Sequence, residues 1–160
     1  YIWIMRGTPL LLQLIFIYYV LPSIGIRIDR LPAAIIAFTL NYAAYFAEIF
    51  RGGIVAIPNG QYEAAKVLKL SSWQTIQYII LPQVVKIVLP SVFNEVMSLV
   101  KDTSLVYALG ISDLILASRT AANRDASLAP MFLAGAIYLI LIGIVTVIAK
   151  RVEKKFSYYK

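Results

Sequence analysis

The sequence predicts an all-α protein, a single domain over residues 1–160 that forms a polytopic bundle of transmembrane helices. Of the 160 residues, 61% are hydrophobic and only 14% are charged, and the mean hydropathy is +0.79. A soluble domain averages about 45–50% apolar and about 25% charged residues. Long apolar stretches here approach the ~20 residues that a helix needs to cross a bilayer, where no water satisfies an open backbone. The excess apolar surface must therefore face lipid.

Two missing residue types exclude several kinds of chemistry. The chain has no cysteine and no histidine, which excludes thiol nucleophiles, disulfides, Cys/His zinc sites and histidine acid–base catalysis. We predict no catalytic residue and no metal site. The formal net charge is +7, from 15 Lys and Arg against 8 Asp and Glu. In so apolar a chain these cations are more simply explained as flanking charges of membrane helices than as a nucleic-acid surface.

The first two spans are predicted at residues 1–22 and 31–57. The first is interrupted at Arg6 and is then uncharged from Pro9 onward, so Pro9 is expected to kink the helix or to begin a new one. The second is uncharged over its first part. Its end is predicted to be polar and tightly turned, because it contains Glu48, Arg51, Gly52, Gly53 and Pro58.

The last two spans are predicted at residues 82–101 and 127–149, and they differ in polarity. The fourth is uncharged throughout and stops at Lys150-Arg151, which makes it the clearest span. The third is the most polar and is not expected to face lipid on all sides. Its polar and helix-breaking residues are Lys86, Pro90, Asn94 and Glu95.

The loops predict which side of the membrane is cytoplasmic, because short segments rich in Lys and Arg stay inside. Glu153 is the one acidic residue of the tail, against the cations Lys150, Arg151, Lys154, Lys155 and Lys160. The tail is therefore placed in the cytoplasm of a multi-pass protein of the cell membrane. Through four spans, residues 58–81 are then cytoplasmic, while 22–30 and 102–125 are outside. These outer segments also carry arginines, partly offset by aspartates.

The cytoplasmic loop contains two short helical patterns. In residues 60–70 small and apolar side chains recur at helical spacing, with charges on the other faces. Such a helix is either a docking element or an interfacial helix lying on lipid headgroups, and periodicity alone favours neither. Ser71 or Ser72 is expected to cap the second pattern, from Trp73 to Leu81.

Five short sequence motifs, spread over most of the chain, are similar to motifs of a known protein family. They are Arg6-Gly7-Thr8-Pro9-Leu10, Glu48-Ile49-Phe50-Arg51-Gly52-Gly53, Ile57-Pro58-Asn59-Gly60-Gln61-Tyr62-Glu63-Ala64-Ala65, Ile79-Ile80-Leu81-Pro82-Gln83 and Lys101-Asp102-Thr103-Ser104-Leu105. The chain resembles the membrane subunits of bacterial ABC importers, in the branch that takes up histidine, arginine, lysine and glutamine. The third of these motifs is similar to the start of the EAA loop of that family.

The resemblance implies a type I importer permease fold with a cytoplasmic coupling helix. It also implies at least one further transmembrane helix before Tyr1. The coupling residues would be Gly60, Glu63, Ala64, Ala65, Leu68 and Lys69. The family usually has glycine at the position of Lys69, so we expect either a helix that continues to Leu70 or a strained turn.

The resemblance also implies the partners. The chain has no Gly-rich Walker-type loop, so ATP and Mg would belong to two partner ATP-binding subunits and this chain would not be an enzyme. A second permease copy or homologue and an extracytoplasmic amino acid binding protein are expected. The predicted function is uptake of a basic or polar L-amino acid, with arginine, histidine or lysine favoured. A secondary transporter or cation channel is the alternative, but it would need no docking helix.

Polar stripes on two spans predict the substrate pocket. Asn41, Tyr45 and Glu48 share one face of the second span, and Ser98 lies between Glu95 and Asp102 on the third. Carboxylates in such a pocket suit a cationic amino acid. The substrate's α-carboxylate is expected to bind Thr103 and Ser104.

The same residues also have structural interpretations. Glu48 could pair with Arg51, and Asp102 could lie in water at the end of its span. Glu95 could bond to Lys101, to Arg119 or to another chain. The neighbouring Tyr42 could be a packing residue.

Overall fold

The computed structural model describes residues 1–156, and its regular structure is helical, which confirms the predicted all-α class. Lys160 of the basic tail lies outside the described residues. Within residues 1–156 the helices are α1 (Ile2–Gly7), α2 (Leu10–Ile24), α3 (Arg30–Val55), α4 (Asn59–Val67), α5 (Ser72–Leu109), α6 (Leu114–Asp125) and α7 (Ala129–Phe156). In α2 and α5, π-helical and 3₁₀ segments continue the α-helix.

Three of these helices, α3, α5 and α7, are long and apolar enough to cross a membrane, with 26, 38 and 28 residues. The first predicted span instead divides into two short helices, because the backbone is extended at Thr8 and Pro9. Pro9 thus begins a new helix, one of the two outcomes expected for it. Its ring fixes φ near the helical value and its missing N–H is not needed at a helix start.

Helix α5 is longer than the sequence pattern indicated, because the loop pattern from Trp73 to Leu81 and the third span form one continuous helix. Ser71 begins it with a capping box: its hydroxyl accepts from the Gln74 N–H at 3.2 Å, and Gln74 Oε1 accepts from the Ser71 N–H at 2.9 Å. A π-helical segment at Thr75–Ile80 precedes Pro82. Its wider turn gives room for a ring that cannot donate a backbone hydrogen bond.

Helix α3 continues through Gly52 and Gly53 to Val55, and the turn predicted at the end of this span lies after the glycines, at Ala56 and Ile57 before Pro58. Gly53 instead allows α3 to approach α5 closely, since a Cβ built on it would lie 2.2 Å from Val88 Cγ1. A Cβ on Gly52 would meet nothing within 4 Å. Of the two glycines, packing requires only Gly53.

Buried side chains form two small clusters, one at each end of α3. Near its start, Leu10 and Leu14 of α2 pack on Ala33 and Ala37, and the clustered residues also include Ile17, Ala34, Tyr42 and Leu109. Near its end, Ile57 packs with Ile80, Val84 and Val88. Most large apolar side chains of α7 are exposed, among them Phe132, Leu139 and Ile140. Such a surface belongs against lipid or other membrane helices.

Candidate functional site

A cavity of about 590 Å³ lies where α1, α3 and α5 meet the start of α2. We call it the central cavity; it is lined by Arg6, Gly7, Thr8, Pro9, Leu10, Leu11, Asn41, Tyr42, Tyr45, Glu95, Ser98, Lys101, Asp102 and Leu105. The structure therefore brings together most of the predicted substrate residues: Asn41, Tyr45, Glu95, Ser98 and Asp102. They meet because their helical spacing places each set on one face of α3 or α5.

Charges of both signs line the central cavity. Glu95 and Asp102 come from α5, as predicted, and Lys101 lies beside them. Arg6 enters from α1, with its guanidinium carbon 5.3 Å from the centre of the Tyr45 ring. Tyr42 donates its hydroxyl to Asp102 Oδ2 at 2.8 Å, so it is more than a packing residue. The cavity can therefore balance both an anionic and a cationic group of one ligand.

Asn41 stabilises the wall of the central cavity through hydrogen bonds to α1 and α2. Its amide nitrogen donates to the Met5 carbonyl and to Gln13 Oε1, each at 3.1 Å. Gln13 in turn donates to the Met5 carbonyl at 2.9 Å and to Thr8 Oγ1 at 2.8 Å. These bonds tie α1 and α2 to α3 across the break at Pro9. The amide hydrogens of Asn41 are engaged in this network, so Asn41 positions α1.

The structure does not bring Glu48, Thr103 and Ser104 to the central cavity. Glu48 is paired with Arg51, whose Nε lies 2.9 Å from each carboxylate oxygen. Thr103 donates to the Val100 carbonyl at 2.7 Å, as a threonine hydroxyl within a helix often does. Ser104 lies near the Tyr138 hydroxyl of α7 and does not line the central cavity. Glu48 and Thr103 are thus already partnered within this chain.

Helix α4 presents one face to the surroundings and the other to α5. Among its exposed residues, five recur at helical spacing: Gly60, Glu63, Ala64, Val67 and Leu68. We call these residues the α4 face. Val67 is 82% exposed and Leu68 is 68% exposed, which leaves an apolar patch beside an acidic residue. An apolar centre with a charged rim is typical of a protein-binding surface.

Ala65 was expected on the α4 face, but its side chain is fully buried on the opposite side. There α4 packs on the first turns of α5, with Gln83 Nε2 donating to Gln61 Oε1 at 3.2 Å. The small Ala65 side chain allows this close packing, so it supports the α4 face from behind.

Comparison with known proteins identifies the family. Residues 1–158 match the family model described as binding-protein-dependent transport system inner membrane component. The chain belongs to this family. A secondary transporter or channel, the alternative from the sequence, is set aside because this transport family works with a separate binding protein.

Known relatives of this permease cover most of its length. It is 41% identical to the arginine transport system permease protein ArtQ of Bacillus subtilis, over 98% of this chain and 73% of that protein. It is 41% identical to a putative glutamine transport system permease protein, GlnP, of Rickettsia felis, over 97% and 72%. A crystal structure of an amino acid ABC transporter with histidines superposes with a TM-score of 0.88 at 33% identity, over 96% of this chain and 72% of that one.

The permease ends α4 in a strained turn, the second of the outcomes expected for Lys69. Lys69 has φ +53°, in the left-handed region. Its N–H donates to the Lys66 carbonyl at 2.9 Å, and the Leu70 N–H donates to the Ala65 carbonyl at 3.1 Å. This is the Schellman arrangement that glycine normally completes. Lysine therefore takes the glycine conformation without changing the path of the chain.

Sequence reasoning missed two residues of the permease cavity. Arg6 had a signal, because an ionisable residue within an apolar stretch marks a functional site by default. That rule was applied only to the carboxylates. Tyr42 had a weaker signal: its neighbours Asn41 and Tyr45 were chosen on helical spacing, and an α-helix face is wide enough to include it.

Proposed function

We propose that this permease subunit belongs to an ATP-driven amino acid importer and that a basic L-amino acid, such as arginine, histidine or lysine, binds in the central cavity. The named relatives support amino acid transport, since they include an arginine and a glutamine system. The observation that carries the substrate class is the charge set of the cavity, where Glu95 and Asp102 face Arg6.

Three of the four charged side chains of the cavity pair with the charges of a basic amino acid, while Lys101, the fourth, is exposed to solvent. The α-carboxylate of the amino acid pairs with the Arg6 guanidinium, and its α-ammonium and side-chain cation pair with Glu95 and Asp102. Once the ligand is removed from water, each of its charges needs such a partner. A neutral amino acid supplies no side-chain cation to the second carboxylate, which lowers the binding free energy that the cavity can provide.

A neutral polar amino acid such as glutamine is the second candidate. The bond from Tyr42 to Asp102 favours it, because a hydroxyl already stabilises that carboxylate. In that case only Glu95 needs a cation from the ligand. The two candidates differ in whether Asp102 contacts the substrate's side chain.

The α4 face is the proposed contact with an ATP-binding partner. Glu63 supplies a charged anchor, Ala64 allows close approach, and Val67 and Leu68 supply apolar area. In this arrangement ATP and Mg are bound by two partner subunits, and α4 lies in the cytoplasm together with the C-terminus. A second permease and an extracytoplasmic binding protein complete the importer.

The test of substrate class uses arginine and citrulline, which have nearly the same shape but differ in one positive charge. Both are titrated into the purified importer complex in nanodiscs. We expect arginine to bind at least about tenfold more tightly, and Glu95→Gln to weaken arginine binding about 100-fold, since losing a desolvated charge partner costs about 2–5 kcal/mol. Glu153→Gln, in α7, is the matched control.

Two results would contradict the proposal. Equal affinities for arginine and citrulline would favour a neutral substrate. Unchanged arginine affinity in Glu95→Gln would remove that residue from the site. Asp102→Asn separates the candidates, because it removes the preference for arginine only if Asp102 contacts the side-chain cation.

A further inference from the structure

A second cavity of about 550 Å³ adjoins the central cavity. It is lined by Ile2, Trp3, Arg6, Gly7, Tyr45 and Glu48. Arg6, Gly7 and Tyr45 line both cavities, so they form the partition between them. Glu48 is about one helical turn beyond Tyr45 along α3, in the direction of α4. The second cavity therefore lies closer to the α4 end of the permease.

The partition consists of a side chain that can move. Arg6 is exposed, and its guanidinium carbon lies 5.3 Å from the Tyr45 ring centre. A contact of this kind is strong enough to favour one position and weak enough to be reversible. Carboxylates lie on both sides: Glu95 lines the central cavity and Glu48 lines the second. The Arg6 guanidinium therefore has a carboxylate near it on each side, although Glu48 also pairs with Arg51.

The backbone next to Arg6 is fixed, which confines the movement to the side chain. The Met5 carbonyl accepts from both Gln13 and Asn41. On the other side, a Cβ at Gly7 would meet nothing within 4 Å, so the space beside Gly7 is open. An anchored backbone with a long exposed side chain is suited to swing between two positions.

We propose that the Arg6 side chain is a movable barrier between the two cavities and that Tyr45 holds it closed. The second cavity is then the next position of the ligand on its path toward the α4 side, and the carboxylate of Glu48 that lines it is paired with Arg51. The identity of that ligand rests on the proposed function, but the barrier itself does not. Arg6 releases Tyr45 when a ligand carboxylate pairs with its guanidinium.

The barrier can be tested by thiol accessibility, because the chain has no native cysteine. Ser98→Cys reports on the central cavity and Trp3→Cys on the second. The complete importer is reconstituted in liposomes without ATP or amino acid. A membrane-impermeant, quaternary ammonium methanethiosulfonate is then added on the side that carries α4. Labelling rates are measured with Tyr45, Tyr45→Phe or Tyr45→Leu in each cysteine background.

We expect Tyr45→Leu to speed the labelling of Ser98→Cys roughly fivefold, the upper end of what a cation–π contact supplies at an exposed site. Tyr45→Phe keeps the aromatic face and is expected to stay within about twofold of the parent. Trp3→Cys should be labelled at the same rate in all three, because it lies before the barrier.

Three outcomes would overturn the barrier. The first is an equal labelling rate of Ser98→Cys with leucine and with tyrosine at position 45. The second is an equal increase in that rate with phenylalanine and with leucine. The third is a matching increase in the labelling rate of Trp3→Cys, which would indicate general loosening of the structure. Arginine binding in the Glu95→Gln variant is a separate measurement. If arginine does not bind as proposed but Tyr45→Leu still speeds labelling, only the proposed substrate is contradicted. If arginine binds as proposed but Tyr45→Leu has no effect on labelling, only the barrier is contradicted.

Discussion

The central cavity and the α4 face each contain a glutamate, but they place it in opposite surroundings. Glu95 lies among other charges inside a membrane-spanning helix, where an unpaired charge is costly. Glu63 lies on an exposed face, where a charge is hydrated and inexpensive. The difference teaches that burial decides what a glutamate can contribute: recognition of a ligand in the cavity, and recognition of a partner on the surface.

The two regions also differ in what fixes their geometry. The cavity wall is tied by side-chain hydrogen bonds, through Asn41 and Gln13. The α4 face is held mainly by packing and by the turn after Val67. Substitutions in the two regions should therefore separate substrate binding, partner docking and stability. The cavity substitution Glu95→Gln should weaken arginine binding about 100-fold while leaving docking of the ATP-binding subunit intact.

The largest effect expected on the α4 side is that of Glu63→Lys. Placing a like charge against a complementary surface costs several kcal/mol, so we expect docking of the ATP-binding subunit to weaken on the order of 100-fold. Substrate-stimulated ATP hydrolysis by the complex should fall with it. Stability of the isolated permease should change by no more than about 0.5 kcal/mol, because the residue is exposed.

Glu63→Gln is the matched control, since it removes the charge without reversing it and should have a smaller effect. ATPase stimulation at the parent level in the Glu63→Lys complex would show that Glu63 is not part of the docking contact. Unchanged arginine binding by Glu63→Lys would show that Glu63, unlike Glu95, does not contribute to the substrate site.

A smaller effect is expected at Gly53, on the helix pair that joins the two regions. Gly53→Ala places a methyl group against Val88, so either the Val88 side chain must shift or α3 and α5 must separate. Overpacking of this kind costs about 1–3 kcal/mol. Gly52→Ala is the matched control, because its Cβ points into open space. Unfolding in mixed micelles measures both; equal stability of the two variants would contradict the close approach.

Residues on one uninterrupted helix were the most predictable part of the site. Glu95, Ser98 and Asp102 all lie on α5, so helical spacing alone placed them together. Glu48 shares a face with Asn41 and Tyr45, yet Arg51 three residues later takes its carboxylate. Helical spacing predicts which way the Glu48 side chain points, but not which of the neighbouring groups its carboxylate pairs with. The pairing was one of two outcomes that the sequence left open.

Features that depend on contacts between distant segments were not predictable from spacing. Arg6 reaches the cavity because the chain breaks at Pro9 and Asn41 binds the carbonyl of Met5. Ala65 faces inward because α4 packs on α5, a choice that periodicity could not make among several small residues. Helix α5 runs through Pro82 and Pro90, although proline usually ends a helix, because a π-helical segment precedes the first.

The smallest expected effect comes from relieving the turn after α4. A side chain in the left-handed region costs roughly 1–2 kcal/mol relative to glycine, and the freer unfolded chain of a glycine variant offsets part of that gain. Lys69→Gly is therefore expected to stabilise the permease by about 0.5–1 kcal/mol. Lys69→Ala removes the same charge but keeps the strain, so it should give no gain. Ala126→Gly, at φ +48°, should give a similar gain at a second turn.

Denaturation of these variants in mixed micelles separates backbone strain from charge. Equal stabilisation by Lys69→Gly and Lys69→Ala would mean that the lysine charge, and not φ, is unfavourable there. Docking should be unaffected by Lys69→Gly, since the Schellman hydrogen bonds of Lys69 and Leu70 remain possible and the α4 face keeps its direction. A loss of ATPase stimulation in that variant would instead assign the Lys69 side chain to the partner contact, and the α4 face would then extend by one residue past Leu68.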